Sequence, residues 1–424
     1  MRWPRWLGLG PAAPGQAWLH RRNKLLCVMA ALGIGTSLWA YWLTYTDVRD
    51  RAASIERIAE ACDGVVDAEA VMGLRGGIVR ASSSSDNYDD LRLSELPSMC
   101  RIYWVPEPGE SDGLFSLMVR TSGDRTAMNL VGDEIPLEPF GDSGYPQPHP
   151  DDVTRQADSA EPYPLGDGSL GYFSDSSVTV RAVCASGKPA SVKVTARADY
   201  KDVSDEDRKV LAELARGSAA RAAARLTCDA QLPQIPGQLE TPGRELRDPE
   251  SADASCAWYR GHLQHAGRER LPDRMLETPV GAASGTETCL LAVSPSDVRH
   301  IAATGRLNGS QRENADRALT HSPWWVRTAS FFGAEAESVA YEDLFDYKTI
   351  KAGTVGGGEE RGVWWASSVC DGEPALHTVT VSYTYDDIVA GRLPALFQAY
   401  VDDITKRRGC TDVELPAPSA FKAK

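Results

Sequence analysis

Apolar positions are laid out along this chain in three patterns, and each predicts a different element. From Leu25 to Tyr45 they run on unbroken: "LLCVMAALGIGTSLWAYWLTY" is 21 residues without a charge. At about 1.5 Å rise per residue, a helix of that length crosses the roughly 30 Å hydrocarbon layer of a bilayer. Towards the C-terminus the apolar positions recur at helical spacing. Leu393, Leu396, Phe397, Tyr400, Val401 and Ile404 form the stripe of an amphipathic helix, with Pro394 tolerated in its first turn and "KRR" suiting its C-terminal dipole. A weaker stripe, Leu211, Leu214, Ser218 and Ala222, follows Ser204, which reads as an N-cap with Asp207 three residues on. Immediately before each of these two helices lies a Val-Thr-rich stretch that reads as a strand.

This order of elements occurs twice. "VCASGKPASVKVTARADYKD", Val183 to Asp202, resembles "VCDGEPALHTVTVSYTYDD", Val369 to Asp387. The helices that follow end in "RLTCDAQLP" at Arg225 to Pro233 and "RRGCTDVELP" at Arg407 to Pro416. The front halves match more loosely, through Cys62 in "SIERIAEACDGVV" and through Cys100 in "MCRIYWV" beside Cys256 in "SCAWYRG". The expected fold class is therefore α+β: a single N-terminal membrane helix, then two related disulfide-stabilised copies, each an antiparallel sheet with a covering helix. The expected boundaries are a cytoplasmic tail at 1–24, the span at 25–45, a juxtamembrane helix at 46–61, copy one at 62–227, copy two at 228–416 and a tail at 417–424. The Pro-rich segment 136–164 and "SSSSDNYDD" read as solvated loops between the matched ends.

Charge orients the chain. Arg2, Arg5, Arg21, Arg22 and Lys24 precede the span, and a mixed "DVRDR" follows it, which places the N-terminus in the cytoplasm and residues from about 46 onward outside. Trp39, Tyr41, Trp42 and Tyr45 cluster at the outer end, where aromatics settle at a membrane interface. A cleavable signal peptide would end its apolar run in small residues, whereas this run ends in "LWAYWLTY", so an uncleaved anchor in the plasma membrane is expected. Cys27 reads as a small apolar residue within it. The part beyond the span carries 59 acidic against 40 basic residues, a net of −19, which disfavours nucleic acid and anionic lipid as partners.

Eight cysteines remain outside: Cys62, Cys100, Cys184, Cys228, Cys256, Cys289, Cys370 and Cys410. An even set in an oxidising compartment reads as disulfides, and zinc is disfavoured because the chain has no C-x-x-C. A strand from Ser191 to Tyr200, about 33 Å long, and a returning helix of about 34 Å bring Cys228 back to Cys184. The same logic joins Cys370 to Cys410, leaving Cys62 with Cys100 and Cys256 with Cys289. A rival pattern joins Cys228 to Cys256 and leaves Cys184 to cross elsewhere; spacing alone does not separate the two.

The blocks "WASSVCDGEPALHTVTV" and "RRGCTDVELP", with the anchor and "CAWY", resemble uncharacterised membrane-anchored or secreted proteins of Streptomyces and its relatives, over both copies. A coding bias fits: only 10 of 45 basic residues are Lys. The pairing of "ACDGVVDAEAVMG" with "MCRIYW" is also similar to actinobacterial lipoprotein domains of unknown function, from which this chain departs by lacking a lipidation cysteine. The resemblance implies location and architecture, and no chemistry.

Candidate chemistry is sparse. "GDSG" at Gly141 to Gly144 looks like the surroundings of a serine-protease nucleophile, but the one His upstream of Ser143 is His20, across the membrane. His149 lies only six residues downstream and nothing else supports it. Neither "GDGSLG" at Gly166 to Gly171 nor "GTVGGGEE" at Gly353 to Glu360 matches a hydrolase elbow or a phosphate loop, and "DNYDD" lacks the Gly and Glu of a calcium loop. No catalytic, cofactor-binding or metal residue is therefore assigned. The surface candidates are Trp324, Trp325, Trp364 and Trp365, because adjacent strand residues face opposite ways and one of each pair would be free to bind glycan or protein. The alternative for these four is packing in the second core. The expected function is a non-enzymatic binding or assembly module at the cell envelope. Its rivals are an envelope hydrolase using dispersed acids or His149, and a regulator acting through a membrane partner.

Overall fold

The computed structural model describes residues 17–83, 90–107, 109–122, 128–129, 138–140, 152–186, 189–239, 241–281, 283–343, 346–358 and 362–421. Ser143, His149 and most of "DNYDD" lie outside the described residues.

The chain begins with one long helix, α1 (Ala17–Ala61), whose apolar first part is long and apolar enough to cross a membrane and is exposed along its length. There follow α2 (Ala68–Val71), β1 (Ala81–Ser83), β2 (Ser98–Trp104), β3 (Asp112–Thr121), β4 (Met128–Asn129), β5 (Tyr163–Pro164), β6 (Gly171–Phe173), β7 (Ser177–Val183), β8 (Ser191–Ala198) and α3 (Asp205–Arg225). The second half contains α4 (Ala257–Ala266), β9 (Arg274–Glu277), β10 (Thr286–Ala292), α5 (Pro295–Thr304), α6 (Gly309–Ala318) and β11 (Trp325–Phe332). It continues through β12 (Val339–Asp343), β13 (Asp346–Thr349), β14 (Gly356–Gly357), β15 (Val363–Cys370), β16 (Glu373–Val381), α7 (Asp386–Val389), α8 (Leu393–Arg408) and β17 (Thr411–Glu414).

Two antiparallel sheets organise these elements. The first runs β1-β2-β3-β8-β7-β6-β5, and the second runs β9-β10-β11-β16-β15-β14 with β17 against β15. Their first five strands thus follow the same order, and the cysteines fall at matching places. Cys100 lies in β2 and Cys289 in β10, Cys184 just after β7 and Cys370 at the end of β15, Cys228 after α3 and Cys410 after α8. The disulfides are Cys62–Cys100, Cys184–Cys228, Cys256–Cys289 and Cys370–Cys410, the sequential set.

Each sheet lays one face on helices. Val192, Val194 and Ala196 of β8 and Val178, Val180 and Ala182 of β7 alternate inward against Leu211, Ala212, Ala215, Ala219 and Ala222 of α3. The stripe on α3 looked weak in sequence because it is built largely of alanine; small side chains let the helix approach the sheet closely. Ser204 caps it, accepting the Asp207 N–H at 3.0 Å. In the second core Leu393, Leu396, Phe397, Tyr400, Val401 and Ile404 of α8 are all buried, as their spacing predicts.

The boundaries differ from expectation at three places. The end of α1 is part of the first core, not a separate juxtamembrane element. Ile58 and Ser54 are buried, Ser54 Oγ accepts the Ala81 N–H at 3.0 Å, and Arg51 donates to the Ile78 carbonyl at 2.6 Å. Cys228 to Leu239 belong with the first half, since the disulfide and the Cys184–Ala230 bridge hold them there. At the other end Phe421 stacks on Trp364 at 5.3 Å, which makes it part of the second core.

The second faces of the sheets are covered as well. The connection between β3 and β7, expected to be a solvated loop, sends Phe140 and Ala157 onto Leu276, Leu290, Ala292 and Trp325 of the second sheet. It also buries Glu161 against Arg327 of β11, at 2.9 Å. In the opposite sense Glu335, in the connection between β11 and β15, meets Lys193 and Arg181 on the polar face of the first sheet. β12 pairs in parallel with β4, tying the two connections together.

Candidate functional site

The four candidate tryptophans are packed. Trp324, Trp325 and Trp364 are between 0 and 6% exposed, and Trp365 is half-buried beside Tyr341. Opposite strand faces do not mean one wet face here, because both faces of this sheet are covered. Trp324 stacks on Tyr385 at 5.1 Å, Trp325 Nε1 donates to Glu138 at 3.2 Å, and Trp364 Nε1 donates to the Ala420 carbonyl at 3.0 Å. "GTVGGG" runs beside Trp364 and Trp365, where β14 pairs with β15. A Cβ on Gly356 or Gly357 would lie 2.7 or 2.6 Å from the Trp365 or Trp364 ring, so only glycine lets β14 approach. Ser169 of "GDGSLG" hydrogen-bonds Asp167 inside the β5–β6 turn. Phe140 and Phe332, each followed by a glycine, occupy different places: Phe140 is on the second face of the second sheet, and Phe332 ends β11 beneath Arg408.

One Ser-His constellation does exist, at residues that spacing had not singled out. His377 Nδ1 lies 2.7 Å from Ser330 Oγ and its Nε2 lies 2.8 Å from Ser368 Oγ, while Ser330 Oγ is 2.6 Å from the Tyr400 hydroxyl. These are nucleophile-to-base distances. All four side chains are nevertheless enclosed between β11, β15, β16 and α8, out of reach of any substrate. Burial pushes the His377 pKa down to about 4, so the ring is neutral and serves to satisfy core hydroxyls.

An accessible site is built elsewhere, on the outer surface of the second half. A cleft of about 670 Å³ opens between α4, α5 and a 3-10 turn at Pro249–Ser251, within the size range of small-molecule sites. The turn is set by Asp248, whose carboxylate accepts the Glu250 N–H at 2.9 Å, and by Pro249 at its first position. α4 turns Trp258 and Tyr259 into the core, so Arg260, Leu263 and Gln264, at i, i+3 and i+4, line the cleft. α5, capped by Ser294, buries Val298 and Ile301 and turns Asp297 and His300 the other way.

Several of the charges lining this cleft are already committed. Arg268 approaches Asp297 Oδ1 at 3.5 Å, and Glu269 pairs with Arg392. Asp297 Oδ2 is buried with no hydrogen-bond partner among the described residues. Burial, and then Asp273, raise the Asp297 pKa, while Arg268 and His300 oppose them. Arg260 and Glu250 have no ion-pair partner among the described residues. The lining includes no hydroxyl or thiol side chain; its polar groups are carboxyls, guanidinium groups, one amide and one imidazole. No cluster of three His, Cys, Asp or Glu side chains among the described residues is placed to hold a metal ion. None of these lining residues stands out in the sequence; the polar spacing of Arg260 and Gln264 beside "CAWY" marks only the outer face of a helix.

Fold and site together define an α+β, disulfide-stabilised protein carried on one long apolar helix. Comparison with protein-family models, with curated proteins and with solved structures found no match in any of the three.

Proposed function

We propose that this is a single-pass plasma-membrane protein of an actinobacterial cell envelope, N-terminus cytoplasmic, whose extracytoplasmic part is a duplicated, non-enzymatic binding or assembly module. The observation that carries this reading is α1. It runs without a break from the apolar segment into the first core, so the folded part is held against the membrane by a rigid helix and not by a flexible linker. The pairing of all eight cysteines beyond the span supports an oxidising compartment. The shared strand order and matching disulfides support a duplication, and paired modules supply two related surfaces for one partner.

Two measurements test it. Protease added to intact cells should remove the mass beyond residue 46 and spare the anchor; protection of the disulfide-bonded part would overturn the orientation. Crosslinking and pull-down from the native membrane should then recover an envelope partner. A purified protein that hydrolysed envelope substrates, and lost that activity on substitution of one cleft residue, would replace the binding reading with an enzymatic one.

A further inference from the structure

We infer that the cleft between α4, α5 and the Asp248–Glu250 turn binds a small zwitterion, an amino acid or short peptide, with its carboxylate on Arg260 and its ammonium group on Glu250. This rests on the binding function proposed above and specifies its ligand.

Asp248 is used in capping its own turn, Glu269 is paired with Arg392, and Arg268 faces Asp297. Arg260 and Glu250 remain, one charge of each sign at the cleft wall whose side chain has neither an ion pair nor a hydrogen bond among the described residues. A simple anion would meet Arg260 but also four carboxyl groups, those of Asp248, Glu250, Glu269 and Asp297. A simple cation would meet Arg260 and Arg268. Only a ligand that carries both charges satisfies both free groups, and a planar guanidinium is the side chain suited to grip a carboxylate.

The site is also fixed in place. Arg260 is on a helix anchored by buried Trp258 and Tyr259 and, at its start, by the Cys256–Cys289 disulfide. Glu250 is on a turn pinned by buried Pro249. The backbones that carry the two groups are thus held before the ligand arrives, which removes the main-chain part of the entropy cost of binding. Gln264 and His300, without hydrogen-bond partners for their side chains among the described residues, are available to peptide N–H and C=O groups, and Leu263 gives a short side chain an apolar contact. The volume exceeds that of a single amino acid and accommodates a di- or tripeptide.

The test is a titration of the full chain in nanodiscs with glycine, alanine and their di- and tripeptides, with the same compounds N-acetylated or C-amidated, and with inorganic phosphate. The free zwitterions should bind saturably, and blocking either end should weaken binding at least about tenfold, or 1.4 kcal/mol. Arg260→Gln should abolish discrimination against the C-amide, and Glu250→Gln discrimination against the N-acetyl form. Lys201→Gln, in the turn before α3, should change neither. Equal binding of the blocked forms, tighter binding of phosphate, retained discrimination in either variant, or no saturable binding into the millimolar range would each overturn the assignment. A chain that fails this titration yet captures an envelope partner keeps the proposed function and loses only this ligand.

Discussion

His377 is held at both ring nitrogens by serine hydroxyls, at 2.7 and 2.8 Å, in a site closed to water. The groups packed around it are Ser330 on β11, Ser368 and the Cys370 sulfur on β15, Phe332, and Tyr400 on α8; the charges nearest this network are Glu287, Arg407 and Arg408. Its folded pKa of about 4 lies below the ordinary 6.5, so the unfolded chain takes up a proton that the native chain refuses. The resulting stability is complete above pH 6.5 and falls by about 1.4 kcal/mol per pH unit as the pH drops towards 4. Urea unfolding at pH 7 and pH 5 should therefore show a loss of about 2 kcal/mol from this group. His377→Gln should be less stable at pH 7, because it disturbs the two hydroxyl contacts, and should show a shallower pH dependence. An unchanged slope in that variant would show that His377 does not titrate as its burial requires.

At the scale of elements, each half is a strand-helix return closed by a disulfide. In the second half β16 leads out, α8 returns, and Cys370–Cys410 ties the return to β15, where β17 then pairs. The bond closes a sequence separation of 40 residues. Replacing both cysteines by serine should cost about 2–5 kcal/mol, measured by denaturant unfolding, with the chain still folded at low temperature because the α8 stripe remains buried. Phe397, fully buried on that stripe and edge-on to Phe421, reports on the packing itself. Phe397→Ala should cost about 3–5 kcal/mol, through lost transfer energy and the cavity left behind. If the disulfide variant proved as stable as the parent, the return helix would be held by packing alone.

For the whole molecule, the two halves complete each other. Phe140 and Ala157 from the first half pack on the second sheet, and Glu335 from the second half meets Lys193 and Arg181 on the first. Arg327 and Glu161 are buried to 3 and 2% side-chain exposure across the same junction. Disrupting a buried pair by removing one charge typically costs 3–5 kcal/mol. Glu161→Gln should therefore lower the thermal midpoint of the two-sheet part as a whole, and calorimetry should show one transition in parent and variant alike. Two separated transitions would mean that the halves unfold independently and that the shared junction contributes little. The same junction explains why Trp325 is dry: the segment read as a solvated loop, 136–164, supplies part of its cover.

Much of the architecture follows from local pattern alone. The long apolar helix, the α8 stripe, the Ser204 cap and the Val-Thr strands are set by residues a few positions apart, since a helix or strand needs only its own periodicity to bury one face. The Cys184–Cys228 and Cys370–Cys410 bonds fit the same lengths, because a strand and the helix returning along it end near where they began, but only the folded chain separates this pattern from the rival that joins Cys228 to Cys256. Contacts between distant segments were decided only in three dimensions. Alternation along β11 and β15 shows that Trp324 and Trp325, or Trp364 and Trp365, point opposite ways, yet it does not reveal that a connection from the other half lies on the second face. The cleft is of the same kind. Glu250, Arg260 and His300 are polar residues on separate elements, and their shared concavity arises only when α4 and α5 turn their apolar sides into one core.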